Sequence, residues 1–237
     1  MSQKEKKIAI AKVKWLRLCR EWGKAALLAV VIVLPLRSSI ADWYEVPTGS
    51  MKPTIMEGDR VFVNKLAYDL KVPFTTWHIA TWGAPSRGDV VVLKSPTDGI
   101  RLVKRVIGIP GDVIAMQNDR LTVNGQPVDY APIDESAFHK VMVNDADHYK
   151  FFAEALPGKD HTVMITPGTP AMRSFGAVQV PAGSYFVMGD NRDNSADSRY
   201  IGFISRDRIM GHALAVVMSF NYDNYHLPRL NRFLLPL

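Results

Sequence analysis

Cysteine is almost missing from this chain. Cys19 is the one thiol among 237 residues, so no disulfide framework can form within it, and an oxidising compartment is permitted without being required. There is no Walker loop, no dinucleotide glycine pattern and no cysteine–histidine metal spacing, which removes the usual signatures of nucleotide and zinc chemistry. No cofactor and no metal is expected. A surplus of one charge sign is missing from most of the chain too. The formal charge is +6, yet residues 1–24 hold eight Lys/Arg against two Asp/Glu, and the remainder carries 21 of each sign. With the excess confined to the amino end, no nucleic-acid partner is needed to explain it.

Long apolar runs are scarce. The longest, Ala25–Leu36, has 12 residues, or about 18 Å of helix, where a bilayer core of roughly 30 Å asks for about 20 residues. Extending it from Trp22 to Ala41 supplies the length and takes in Arg37, whose long side chain can snorkel to an interface. Trp22 on one side and Trp43 with Tyr44 on the other suit two interfacial belts. The expected layout is a basic cytoplasmic tail at 1–21, a transmembrane anchor at 22–42 and a β domain at 43–237. A cleaved signal peptide ending at Ser39-Ile40-Ala41 is the alternative, against which the long basic region and Arg37 both weigh. The segment before the anchor, basic with interspersed apolar residues, is either a helix on the inner membrane surface or a solvated tail.

Beyond Trp43 there is no long helical period and no internal repeat. Short β-rich runs, "RVFVNKL", "GDVVVLKS", "RLVKRVIGI" and "SYFVMGD", alternate with Gly, Pro and Asp turns. "RLTVNGQPVDY" has the signature of a hairpin closed by Asn124-Gly125. The fold class is mainly β: a compact β domain with an inserted β-rich excursion at about 115–181, preceded by one transmembrane helix. The apolar carboxyl end, "RFLLPL", is expected to dock on the domain.

The stretch "VPTGSMKPTI", Val46 to Ile55, sets Ser50 among small residues and prolines with no histidine nearby. A nucleophilic serine needs a base, and lysine is the other residue that can act as one. Its pKa must then fall from about 10.4 to about 8, roughly 3.3 kcal/mol of preference for the neutral amine, which apolar burial can supply. Lys52 flanks a turn, and Lys65 and Lys94 stand at strand ends. Lys104 lies mid-run in "RLVKRVIGIPGD", with Leu102 and Val106 on its own face and Arg105 on the other. An edge lysine that discourages strand pairing is the plainer alternative. A third tract, "GDNRDNSADSRYIGFI", lacks the glycine of a calcium loop and carries Arg192 at a ligand position.

Together "PTGSMKPTI", "GDRVFVNKL", "KRVIGIPGD" and "GDNRDNSADSRYIGF" resemble bacterial type I signal peptidase (leader peptidase), over the chain from about Trp43 to Phe220. The resemblance implies a membrane-anchored serine endopeptidase that removes signal peptides from exported preproteins at the phospholipid membrane, with its catalytic domain on the outer side and an anchor that is retained. It implies Ser50 as nucleophile and Lys104 as general base, with the Ser50 amide and Thr48 hydroxyl as oxyanion hole. Ser195 would orient the Lys104 ammonium, while Asp197 and Arg199 pair to hold the loop. The family usually has serine at the Thr48 position; threonine keeps the hydroxyl with fewer rotamers. The family cleaves after small residues at the first and third positions before the scissile bond, and the resemblance implies the same here. Val46, Pro47, Met51, Ile55, Val61, Leu102 and Val103 are the candidates to wall two shallow pockets, with the substrate paired as an extended strand.

A specialised relative that processes a pilin or conjugation protein, and a non-catalytic membrane-anchored β module, are the alternatives. Retention of both Ser50 and Lys104 weighs against the second. The segment Val72 to Pro85 has two tryptophans and a phenylalanine without a charged residue. It is expected to turn Phe74, Trp77 and Trp82 toward lipid headgroups, a hairpin packed on its own domain being the alternative.

Overall fold

The computed structural model describes residues 3–72, 75, 77–134, 138, 148–222 and 224–237. Phe74, one of the expected headgroup contacts, lies outside them. The basic tail and the apolar run form one helix, α1 (Gln3–Ser39), with no break at residue 22. The helix ends before the expected limit of the anchor, because Ala41–Glu45 forms the first strand, β1. Arg37, in its last turn, binds Asp42 through Nε (2.9 Å) and Nη2 (2.5 Å). Among the described residues no helix is long and apolar enough to cross a membrane. The apolar run is bounded by Lys24 and Arg37, which holds down the hydropathy of any longer window.

β2 (Asp59–Asn64) lies antiparallel to β1. A hairpin of β3 (Asp69–Lys71) and β4 (His78–Thr81) follows, then β5 (Val90–Lys94) and β6 (Arg101–Gly108), joined by a full antiparallel ladder. The excursion holds β7 (Val113–Gln117), β8 (Arg120–Val123), β9 (Gln126–Pro127), β10 (Asp129–Ile133), β11 (Lys150–Leu156), β12 (Lys159–Ile165) and β13 (Phe175–Gln179). After β14 (Ser184–Met188) come a short helix α2 (Ser198–Ile201), β15 (Ile204–Ser205) and the long β16 (Ile209–Asn221), with β17 (Leu227–Pro228) and β18 (Leu235–Pro236) closing the chain.

The main sheet runs β1-β2-β16-β5-β6-β14-β15, with β17 and β18 also on β16. Its centre is β16, whose pairing shifts register near Ala213, Val216 and Ile209. Each bulge bends the strand and adds twist, so the sheet curls and brings β1 towards β6. The excursion builds two further sheets, β13-β7-β8-β9 and β10-β11-β12. At the β8–β9 turn Asn124 has φ 53° and Gly125 φ 77°, the left-handed pair that a two-residue hairpin turn requires.

Three apolar clusters surround the main sheet, and strand alternation assigns residues to them. Val90, Val92 and Val103 pack with Val46, Met51, Ile55, Val61 and Val63. Leu102 and Val106, on the face of Lys104, pack instead with Val91, Leu93, Tyr185, Val187 and Ile204. The excursion adds a third around Ile114, Leu121 and Phe186. Tyr44, expected at the membrane interface, is buried in the first cluster, whereas Trp43 is exposed. The reason is alternation along β1, which turns the two rings to opposite sides. The carboxyl end docks as expected, with Leu235 and Leu237 against the first cluster.

Candidate active site

Ser50 sits in the turn between β1 and β2, and Lys104 in β6. Lys104 Nζ is 2.6 Å from Ser50 Oγ, and no other group among the described residues bonds to that hydroxyl. β5 pairs with β6 through Lys104, whereas β14 joins the other side only from Arg105 on, so what sets Lys104 apart from a solvent-facing edge lysine is its burial. It is 1% exposed. Burial is the main influence on its amine and pushes the pKa down to about 8. The Asp197 and Asp190 carboxylates pull the other way, and the Arg199 guanidinium reinforces the depression. The charged form gains little from the site, and the neutral amine has its lone pair within reach of a serine proton.

Among the described residues the other candidate lysines are occupied or solvated. Lys52 pairs with Glu57 at 2.9 Å, Lys65 binds the carbonyls of Arg37 and Ser38 and the Asp42 carboxylate, and Lys94 is exposed. Histidine plays no part beside Ser50 among the described residues. His161 stands between Glu154 and Asp190, His78 lies against Asp69 and His212 against Asp89. His139 lies outside the described residues.

The Ser50 N–H has no acceptor among the described residues, so that donor is available for an incoming oxyanion. Thr48 is exposed two residues before it and Pro47 is exposed beside Thr48. Of the proposed pocket residues, Val46, Met51, Ile55 and Val61 are buried in the first cluster, with Val103 packed against them. Leu102 is half-buried against the cluster on the other face. Such packed side chains can form a floor but leave little depth above it.

The tract after β14 wraps this centre. Asp197 caps α2 by accepting from the Arg199 N–H. Its carboxylate takes Arg199 Nε and Nη2, both at 2.8 Å, and the Gly189 N–H at 3.0 Å. Burial opposes its ionisation, but the Arg199 guanidinium and these donors hold the carboxyl below the usual range. Ser195 is brought to the same place without bonding Lys104. Its Oγ is buried, near enough to favour the charged Asp197, yet outside hydrogen-bond geometry with any group among the described residues. Gly189 shows how close the packing is: a Cβ there would collide with the Ser50 carbonyl and with Ser195 Oγ.

Three features were not anticipated from sequence. Asn191 clamps the nucleophile turn, its N–H donating to Ser50 O and its Nδ2 to Gly49 O, each at 3.1 Å. Asp190 receives a two-point bond from Arg105 (2.9 and 2.7 Å) and the Thr54 hydroxyl at 2.5 Å. Arg192 forks onto Glu154 of β11, with both contacts at 2.7 Å, so the excursion anchors the tract rather than only covering the core. Burial works against the Asp190 and Glu154 charges, and the partner guanidinium outweighs it in each case, holding the carboxyls low. The only sequence signal was polar density in residues 189–199; the partners Thr54, Arg105 and Glu154 carry none.

A family model described as "Signal peptidase, peptidase S26" matches residues 19–218. Signal peptidase I of Pseudomonas fluorescens is 36% identical over 241 residues, covering 95% of this chain and 82% of that protein. Signal peptidase I of Pseudomonas aeruginosa is 36% identical, with 84% and 72% covered. Signal peptidase I T of Bacillus subtilis (strain 168) is 37% identical, with 85% and 86% covered. With a serine and a buried lysine in contact and relatives matched over most of their length, this chain belongs to the signal peptidase family, peptidase S26.

Proposed function

We propose that this chain is a serine endopeptidase that removes signal peptides from preproteins, with Ser50 as nucleophile and Lys104 as its base. The observation that carries this is the 2.6 Å contact between Ser50 Oγ and a buried amine whose pKa is lowered to about 8. Neutral Lys104 takes the hydroxyl proton as Oγ attacks the scissile carbonyl. The oxyanion that forms accepts from the free Ser50 N–H and the Thr48 hydroxyl. The Lys104 ammonium then protonates the leaving amine, which departs as the new amino terminus and leaves an acyl-enzyme. Water, deprotonated by the same amine, attacks the ester and restores Ser50. Asp197 and Arg199 hold the loop beside Lys104, and Ser195 of the same loop orients the amine once it is charged.

The substrate enters as a strand. β1 is at the edge of the main sheet, and β14 pairs with β6 only from Arg105 to Gly108. Arg101 to Lys104 therefore keep one backbone edge open, facing β1, where Arg101 lies 3.9 Å from the Tyr44 ring. A peptide laid there meets backbone groups on both sides. Val46, Met51, Ile55, Val61 and Val103 on one face, Leu102 on the other and the exposed Pro47 wall the two shallow pockets that suit small side chains.

α1 seats the enzyme in the bacterial cell membrane, amino end cytoplasmic and β domain on the outer side. Leu27, Leu28 and Val30 to Leu34 are all exposed apolar residues, and the positive charge lies ahead of them. Arg37, the charge that interrupts the apolar window, is neutralised by Asp42 and lies 4.9 Å from the Trp43 ring, which lowers the penalty of placing it at an interface. The β3–β4 hairpin adds Trp77, Ile79 and Trp82, exposed at 75%, 59% and 56%.

Incubating the detergent-solubilised full chain with a preprotein tests this reading. The parent should release a mature product with a new amino terminus after a small residue, and Ser50→Ala and Lys104→Ala should release none. Lys104→Arg should fail as well, since a guanidinium does not deprotonate. Processing by Lys104→Arg would remove the lysine as base.

A further inference from the structure

A cavity of about 770 Å³ opens where α1 meets the β domain. Leu34 and Arg37 wall it from the helix, and Lys65, Lys94, Arg101 and Arg208 wall it from the domain. Some of this charge is already balanced. Asp42, also on the wall, is engaged by Arg37 at 2.5 Å and Lys65 at 3.4 Å, and Lys71, a further wall residue, lies 3.7 Å from Asp69. The rest is not. Lys94 and Arg101 stand directly opposite each other across the β5–β6 ladder, a like-charge pairing that is destabilising on its own. Neither has a carboxylate partner among the described residues. Arg101 is held against the Tyr44 ring, and Arg208 donates Nη1 to Ser95 O at 3.1 Å and feels its exposed neighbour Asp207 without a direct ion pair. Asp207, which is exposed, is the one acid left to these three cations among the described residues.

We propose that this cavity binds the phosphate of an anionic phospholipid headgroup. The inference rests on the reading of α1 as the membrane element, and it adds a specific lipid site to it. Three cations converging on one concavity suit a phosphate, whose oxygens accept several charge-assisted hydrogen bonds at once. The lipid source follows from position. The exposed apolar residues of α1 run to Leu34, which is itself on the cavity wall. The headgroup layer lies immediately outside the hydrocarbon core, so a phosphate at that level faces Lys94, Arg101 and Arg208. Occupancy would also relieve the repulsion between Lys94 and Arg101, linking lipid binding to the stability of the β5–β6 ladder.

The test uses the detergent-solubilised full chain and its thermal unfolding midpoint. Short-chain phosphatidylglycerol should raise the midpoint by about 2–6 °C at saturation, while phosphatidylcholine should leave it unchanged. Inorganic phosphate at matched ionic strength should have less effect. Lys94→Gln with Arg208→Gln should remove the phosphatidylglycerol response, whereas Lys14→Gln with Arg17→Gln, which neutralises part of the tail, should keep it. Lys94→Gln alone, at an exposed position, should halve the response or more if the double variant folds poorly. An unchanged response in the Lys94 variants, or an equal response to phosphatidylcholine or to inorganic phosphate, overturns the lipid site. Flotation with neutral phosphatidylcholine vesicles reports α1 separately: a chain that floats yet shows no phosphatidylglycerol response refutes this site alone, and one that does not float refutes the anchor.

Discussion

Asn191 holds Ser50 by its carbonyl, donating its backbone N–H at 3.1 Å while its side chain takes the neighbouring Gly49 carbonyl. These two bonds fix the direction of the nucleophile turn, and neither touches the reacting atoms. Asn191→Ala removes the side-chain bond and keeps the backbone one. The expected result is a fall in kcat of about 10–100-fold with KM changed less, since a small misplacement of a nucleophile can lose on that order. Circular dichroism should show the fold retained. An unchanged kcat would make Asn191 structural only.

The Asp197–Arg199 pair predicts a pH effect with a sign. Arg199 lowers the Lys104 pKa and Asp197 raises it. Arg199→Ala leaves Asp197 buried without its partner, so the variant should lose about 3–5 kcal/mol of stability. In the folded fraction the activity profile should move to higher pH, because a cation has been removed and a carboxylate left beside the amine. A shift to lower pH would contradict the arrangement.

Burying Lys104 should be visible in stability as well as activity. Its folded pKa, about 8, lies below the unfolded value of about 10.4. Between those values the unfolded chain binds more protons, so stability rises with pH through that window, by roughly 3 kcal/mol in all. Lys104→Met removes the group. The variant should be more stable than the parent at pH 7, and the difference should shrink as pH approaches about 10.4. Denaturant midpoints at several pH values measure it.

The β3–β4 hairpin exposes Trp77 and Trp82, although the Trp82 Nε1–H is already bound to Leu66 O at 2.9 Å. Trp77 therefore has the freer ring for a headgroup layer. A domain lacking α1 should still bind vesicles, Trp77→Ala should weaken binding more than Trp82→Ala, and neither should unfold the domain. Equal binding by the Trp77→Ala, Trp82→Ala double variant would make the hairpin merely structural.

What was legible in the sequence follows from what a local pattern can encode. The Asn124-Gly125 turn needs left-handed backbone and is written in two adjacent letters. Lys104 is legible because alternation in β6 places Leu102 and Val106 beside it. Arg105 is the contrary case: alternation sends it to the opposite face, where a charge is normally assigned to solvent, and it is buried instead because Asp190 lies there. Glu154 and Arg192 are likewise buried by each other. Long-range ion pairs of this kind carry no periodicity, so neither they nor the role of the excursion could be found before the chain was folded. Tyr44 went astray for a related reason. Its proximity to the apolar run suggested lipid, and only the pairing of β1 with β2 showed which side of the strand faces the core.

The central claim is that a neutral Lys104 takes the proton of Ser50, and the pH dependence of acylation in single turnover tests it most directly. With preprotein bound and chemistry limiting, the rate should rise from pH 6 as the amine loses its proton, with an inflection near the lowered value of about 8, and level off above it. A rate that is flat from about pH 6 to 9, or that inflects only near the unperturbed lysine value of about 10.4, would contradict the account.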